Sequence, residues 1–253
     1  MINHIINVAL EAGEIIKSGA NKNKLINYKG SIDMVTEFDV KAEALIIDRL
    51  SKLLPNYEIV AEESAKNPFK NYDKAIYIDP IDGTTNFIHG FPFVSVSIGV
   101  YNNGEGEYGV VYNPITNEMF YASKNNGAFL NGNKIYVSDT KDLQHSLCAT
   151  GFPYNKDKLP QLMAILEKTL ASTRGIRRAG SAALDLCYTA KGVFDLYYET
   201  SLKPWDIAAG MIILSEAGGK VTDMIGGNRC LTTGDLIASN GIVHNEFMHL
   251  INL

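Results

Sequence analysis

The chain has 253 residues, of which 46% are hydrophobic and 20% charged, the proportions of a globular protein with a sizeable core. Its formal net charge of −5 argues against a nucleic-acid or anionic-membrane surface as its main partner. No run approaches the roughly 20 apolar residues that span a bilayer, and Glu11 and Glu14 interrupt the N-terminal stretch that would otherwise resemble a targeting segment. Cys148, Cys187 and Cys230 are odd in number and scattered, which suits reduced thiols and offers neither a disulfide framework nor a zinc knuckle. A soluble, cytoplasmic protein is the expectation.

Ile2, Ile5, Ile6, Ala9, Leu10, Gly13 and Ile16 recur at helical spacing and predict an amphipathic first helix. Thr36 is placed to cap a second helix over about 37–54, ended by Pro55 and Asn56. YEIVAEE and AIYID follow as short β-type runs that stop at acidic residues. From 93 to 137 the runs FVSVSIGVY, EYGVVYN, EMFYAS, GAFLNG and KIYVS, punctuated by Gly, Asn and Pro, predict an antiparallel meander. The remainder alternates: helix near 157–171, strand near 174–178, helix near 181–191, the strand FDLYYE, helix over 204–217, the strands KVTD and LIAS, and a last helix. Two helices, a large sheet and an α/β half predict a layered α+β sandwich. An α+β half over about 1–145 and an α/β half over about 146–253, with no linker between them, are expected to pack as one unit.

Three acidic clusters fall at predicted element ends: Glu62 with Glu63, Asp79 with Asp82, and Asp206 after Trp205. Magnesium and manganese prefer such hard oxygen ligands. In DPIDGTTNF, Asp79 and Asp82 can address one spot, joined by the Ile81 carbonyl and the Thr84 hydroxyl; Pro80 fixes the turn and Gly83 lets backbone approach a ligand. A lone DxxD is most simply a solvated acidic turn, but EES upstream and WD downstream weigh against that reading. The N–H groups of Gly83 and Thr84 open the short helical run TTNFIHG, and helix starts bind phosphate, so the combination points to phosphoryl chemistry.

VAEES, DPIDGTTNF and WDIAAGMIILSEAGG, in that order and spacing, resemble the inositol monophosphatase family of magnesium-dependent, lithium-sensitive phosphatases. The likeness continues through NYKGSIDMVTEFD, GAFLNG and RRAGSAALDLCYTAKG, nearly the whole chain. It implies α, β, α, β, α layers and a homodimer. Glu62, Asp79, the Ile81 carbonyl and the Thr84 hydroxyl would hold a first metal, and Asp79, Asp82 and Asp206 a second; a third, weaker ion would lean on Glu62 through water. Magnesium is the implied cofactor, with manganese as a substitute. Glu62, Thr84 and Asp39 would be catalytic, with Asp39 accepting a hydrogen bond from Thr84. Asp82, Gly83, Thr84, Gly180, Ser181, Ala182, Glu199 and Asp206 would meet the substrate, Glu199 at one of its hydroxyls.

Other residues carry less. Glu63 reads as a neighbour of the ligands or a surface residue and not as a ligand, His89 as structural or solvated, Trp205 as core fixing Asp206, and Cys187 as a buried small hydrophobe. Lys29 and Gly30 suggest a flap whose lysine approaches the site, a solvated lysine being the alternative; Arg177 and Arg178 suit either a phosphate or a subunit contact. The leading function is a phosphomonoesterase for inositol monophosphate and related small sugar or polyol phosphates. Fructose-1,6-bisphosphatase, NADP phosphatase and 3′-phosphoadenosine phosphatase are alternatives, the last disfavoured by Thr85 and Asn86 where such relatives tend to DGTKEF. The resemblance also admits a protein-mediated role in RNA processing or transcription, without direct nucleic-acid contact.

Overall fold

The computed structural model describes residues 1–20, 22, 24–28, 34–153 and 157–252; Lys29 and Gly30, expected above to form a flap, lie outside this set. Two long helices open the chain, α1 (Ile2–Gly19) and α2 (Glu37–Leu53). Between them lies a short antiparallel pair, β1 (Ile26–Tyr28) and β2 (Met34–Thr36). Seven strands then form one sheet in sequence order: β3 (Glu58–Ala61), β4 (Lys74–Asp82), β5 (Ser95–Asn102), β6 (Glu105–Asn113), β7 (Glu118–Ser123), β8 (Ala128–Leu130) and β9 (Asn133–Ile135). A short helix, α3 (Thr84–His89), interrupts the passage from β4 to β5. All neighbours in this sheet are antiparallel except β3 and β4.

The second half contributes β10 (Leu147–Thr150), α4 (Leu159–Ser172), β11 (Gly175–Arg177), α5 (Ala182–Ala190), β12 (Leu196–Glu199), α6 (Pro204–Glu216), β13 (Lys220–Thr222), α7 (Cys230–Thr233), β14 (Leu236–Ser239) and α8 (His244–Asn252). Its five-stranded sheet has the order β11-β10-β12-β14-β13, with β10 parallel to both neighbours.

The period-two alternation of strand side chains builds the layers. On β4, Ile76 and Ile78 pack with Ile5, Ile16, Ile46 and Leu50 of α1 and α2. Ala75 and Tyr77 point the opposite way, into a core shared with Leu184 of α5, Ile207 and Ile213 of α6, and Tyr197 of β12. Leu196 and Tyr198, flanking Tyr197, face outward against Leu162 and Ile165 of α4 and Phe247 of α8. The result is the expected layer order: helices, seven-stranded sheet, helices, five-stranded sheet, helices. Trp205 and Cys187 lie in the middle core, as their composition suggested.

Three differences from the sequence reading have local causes. β4 does not stop at Asp79; it runs on to Asp82 through a register shift against β5 between Asp79 and Asp82. Pro80 lies within the shift, where its missing N–H is tolerated. β10, the run LCAT, is four residues with no period-two signal and becomes a strand through pairing on both sides. β1, β2 and α7 are too short to leave a periodic trace.

Glycines on the inner face of the large sheet let α6 lie close to it. A Cβ on Gly99 would stand 2.8 Å from both Ala208 Cβ and the Ala209 backbone nitrogen, and one on Gly109 2.6 Å from the Ala209 carbonyl oxygen. Gly99→Val should therefore lower stability by about 1–3 kcal/mol or more, because the obstruction is helix backbone. Urea unfolding checks this, and a midpoint equal to wild type would contradict the close α6 packing.

Candidate active site

Four helix starts and two strand ends meet at one cavity, and each carries a residue singled out above. Asp39 is the third residue of α2. Its Oδ2 accepts from the Thr36 N–H at 2.8 Å while the Thr36 hydroxyl accepts from the Phe38 N–H at 3.2 Å, a reciprocal cap. The other oxygen, Oδ1, is thereby left to the Thr84 hydroxyl, which lies 3.0 Å away and equally 3.0 Å from the Ile81 carbonyl oxygen. Thr84 opens α3, preceded by Gly83 at φ +93°, where a Cβ would meet the Phe93 carbonyl oxygen at 2.9 Å.

Asp82 ends β4 and reaches across to the second half. Its Oδ2 accepts from the Ser181 hydroxyl at 2.6 Å and from the Ala183 N–H at 2.7 Å, at the start of α5. Asp206 occupies the third position of α6, after Pro204 at its first turn, and accepts from the Lys203 N–H at 2.7 Å. Asp79 accepts from the Ile81 N–H at 3.0 Å and shares a hydrogen bond with Glu62, which follows β3. Glu199 closes β12.

These residues wall a cavity of 540 Å³, within the roughly 300–1,000 Å³ usual for small-molecule sites. Glu62, Asp79, Ile81, Asp82, Gly83, Thr84, Gly180, Ser181, Ala182, Glu199 and Asp206 all line it; Asp39 stands behind Thr84. His89 and Glu63 do not line it, and the Glu63 N–H instead donates to Glu43 at 2.8 Å. Of the two arginines, Arg178 lines the cavity and Arg177 does not.

Sequence reasoning missed several members of the wall. Gly151, Phe152 and Pro153 come from the loop after β10, and Thr200, Ser201, Leu202 and Lys203 from the segment between β12 and α6. Asn86, weighed in the sequence only against DGTKEF, donates to the carbonyl oxygens of Phe93 at 2.8 Å and Ala179 at 2.9 Å, tying α3 to the turn before α5. A buried-strand tyrosine, Tyr197, donates to Glu199 at 2.7 Å; it reads as core in sequence because its ring is core.

Burial dominates the acid–base character of the site. Asp79 is raised well above the usual carboxylate range by desolvation and then by the charges of Glu62, Asp82 and Asp206. Asp206 is raised well above that range too, first by desolvation and then by the charge of Asp82. Asp82 is pushed up to about 6, its burial opposed by the donors of Ser181 and Ala183. Glu199 rises to about 7, burial again outweighing Tyr197 and Arg178. Asp39 is also raised by burial, against the donors Thr36 and Thr84.

Among the described residues no group of three His, Cys, Asp or Glu side chains forms a ready-made metal shell. The carboxylates are turned to their own helix starts and neighbours, as described above. Their chemistry nevertheless fits a hard divalent cation. Like-charged oxygens are crowded and buried with no lysine or arginine ion pair to any of Asp79, Asp82 or Asp206 among the described residues, and such burial is costly without a positive charge.

A five-layer αβαβα sandwich with a carboxylate-rich cavity where its central helices begin defines the structural class of this protein. The comparison with known proteins is specific within that class. The sequence profile of the inositol monophosphatase family matches residues 1–252. Inositol monophosphatase 2 of Solanum lycopersicum is 42% identical over 254 aligned residues, covering 98% of this chain and 96% of that protein. The Nus factor SuhB of Pasteurella multocida is 41% identical, covering 99% of this chain and 95% of that protein. Among solved structures, the extragenic suppressor protein suhB of Bartonella henselae superposes with a TM-score of 0.92 at 37% identity, covering 98% of this chain and 97% of that one. The chain belongs to the inositol monophosphatase family. Membership supports a phosphatase, in a family that is generally magnesium-dependent.

A pH consequence follows. Burial favours the protonated form of these carboxyls, Asp82 being pushed up to about 6, while a divalent cation needs them ionised. Adding magnesium at pH 6 should release protons, and the share that comes from Asp82, pushed up to about 6, should be lost by pH 8. Calorimetry in two buffers of different ionisation enthalpy reads the release directly; proton uptake, or no release at pH 6, would contradict cation binding at these carboxylates.

Proposed function

We propose that the protein is a magnesium-dependent phosphomonoesterase that hydrolyses inositol monophosphate and related small sugar or polyol phosphates. The observation that carries the reading is the hydrogen-bonded pair of Thr84 and Asp39, set beside buried Asp79 and Asp82 and the half-buried Glu62 and Asp206 in one cavity. Glu62, Asp79, the Ile81 carbonyl and Thr84 would hold one cation, and Asp79, Asp82 and Asp206 another, with Glu62 supporting a third, weaker one; manganese is a substitute. Magnesium bound there supplies Lewis-acid polarisation of the phosphoryl group and acidifies water.

The chain's own groups do the rest. Asp39, its carboxyl raised by burial and held by the α2 cap, is a competent proton acceptor behind Thr84. The Thr84 hydroxyl passes its proton to Asp39 Oδ1 as it takes one from the attacking water. The new bond joins that water's oxygen to phosphorus, the bond from phosphorus to the polyol oxygen breaks, and a second water protonates the departing oxygen. Gly83, Thr84 and the Gly180–Ser181–Ala182 turn seat the substrate, with Glu199 meeting a hydroxyl. Inhibition by lithium, a homodimer, and halves acting as one unit belong to the same proposal.

A panel of phosphomonoesters assayed with magnesium tests the reading. Asp79→Asn should reduce turnover at least about a hundredfold with far-ultraviolet circular dichroism unchanged, because an amide cannot serve as a shared anionic ligand. Thr84→Ala should cost at least about tenfold in kcat, roughly 1.4 kcal/mol of transition-state stabilisation. Near-native turnover in Asp79→Asn sinks the assignment.

The Nus-factor name of the Pasteurella relative favours a second reading, a protein-mediated association with transcription machinery. Co-purification of RNA polymerase subunits with the tagged protein from its native cells, surviving nuclease, is the expected result; recovery only before nuclease treatment would rule the direct protein contact out.

A further inference from the structure

We propose that Tyr197 and Gly151 together form a seat that fixes the Glu199 carboxylate, and that this seat makes the enzyme select phosphate esters of polyhydroxylated alcohols over esters that lack hydroxyls. The inference rests on the reading of Glu199 as the substrate-hydroxyl contact.

The seat has three parts. Tyr197 is a fully buried side chain of β12, in the core between the two sheets, and its ring cannot turn away without disturbing that core. Its hydroxyl donates to Glu199 Oε2 at 2.7 Å. Residues two apart on a strand point to the same face, so Tyr197 and Glu199 necessarily share one side of the sheet. The second part comes from β10, which runs parallel to β12 with Thr150 opposite Tyr198. That register brings the next residue, Gly151, under the Glu199 carboxylate. A Cβ on Gly151 would overlap Oε1, Oε2 and Cδ of Glu199, so the carboxylate lies directly on bare backbone. The Thr150 hydroxyl, donating to the Tyr198 carbonyl oxygen at 2.9 Å, pins the two strands together at this point.

The third part is what the seat leaves open. Among the described residues no donor reaches Glu199 Oε1, and Glu199 lines the cavity that holds the phosphate-site residues. One oxygen is therefore occupied from the core, the Gly151 backbone lies against the carboxylate, and Oε1 is left as an acceptor on a residue that lines the cavity. A carboxylate acceptor held in one orientation rewards a ligand hydroxyl placed to donate to it and gains nothing from an aryl or alkyl group there. Tyr197 and Gly151 touch no reacting atom; they are positioning residues acting through Glu199.

The test compares inositol monophosphate with 4-nitrophenyl phosphate, which has no polyol hydroxyl, in the magnesium-loaded enzyme. Tyr197→Phe should lower the ratio of kcat/KM for inositol monophosphate over 4-nitrophenyl phosphate by about tenfold, mainly through KM for the first. Gly151→Ala should shift the ratio the same way, and in a Glu199→Gln background neither change should shift it further. Thermal unfolding of each variant separates a damaged core from a displaced carboxylate. Equal losses on both substrates, or full additivity with Glu199→Gln, overturn the seat. Calorimetric affinity for inositol monophosphate keeps the two readings apart. If wild type binds it and Tyr197→Phe weakens binding about tenfold but no ester is hydrolysed, the phosphatase reading fails and the seat stands. An undiminished affinity in Tyr197→Phe removes the seat whatever the turnover.

Discussion

The two short hydrogen bonds that Asp82 accepts from Ser181 and Ala183 join the halves of the molecule at the point where they must agree. Asp82 ends a strand of the large sheet; Ser181 and Ala183 begin a helix that packs between the sheets. Without that junction the cavity would have two independent walls. With it, the strand carrying Asp79 and Asp82, the start of α5 and the turn Gly180–Ser181–Ala182 share one geometry. Asn86 adds a parallel tie from α3 to the Ala179 carbonyl oxygen. The close approach of α6 to Gly99 and Gly109 then sets where Asp206 can stand relative to both.

The same junction shows how the protein tolerates so much buried negative charge. Asp39 and Asp206 each occupy the first turn of a helix and accept from the backbone N–H before it, and Asp82 accepts from the start of a third helix. The positive end of a helix dipole favours an anion by roughly 0.3–1 kcal/mol, up to about 2 in buried settings. Backbone donors thus orient each carboxylate but fall short of compensating it, as the raised values of Asp79 and Asp206 show. The site is thus left short of positive charge in a fold that already holds these carboxylates in place.

A different buried group follows the opposite rule. His244 is enclosed at the start of α8, with Thr222 and Ser239 hydroxyls on its two ring nitrogens, and burial lowers it to about 4, with Lys220 adding in the same direction. It is neutral in the folded chain, and its contribution to stability is present above about 6.5 and lost as pH falls toward about 4. It braces the outer helix layer with a neutral base, remote from the carboxylate chemistry.

The sequence by itself determined what local physics controls. Helical and strand periodicities placed α1, α2, α5, α6 and the meander within a few residues, Thr36 announced the α2 cap, and DPIDGTTNF with EES and WD marked out carboxylates that line one cavity. Only the tertiary structure decided the rest. β10 is a strand because two neighbours pair with it, β4 passes Asp79 because β5 absorbs a register shift, and Gly151 reaches Glu199 through a parallel pairing across 48 positions of sequence. Tyr197 could not be distinguished from an ordinary core aromatic, since the ring satisfies the hydrophobic pattern and only its hydroxyl serves the site. Side-chain period and capping are set by neighbours in sequence; which backbone lies under a given carboxylate is set by strand register between distant segments, and no local pattern encodes that.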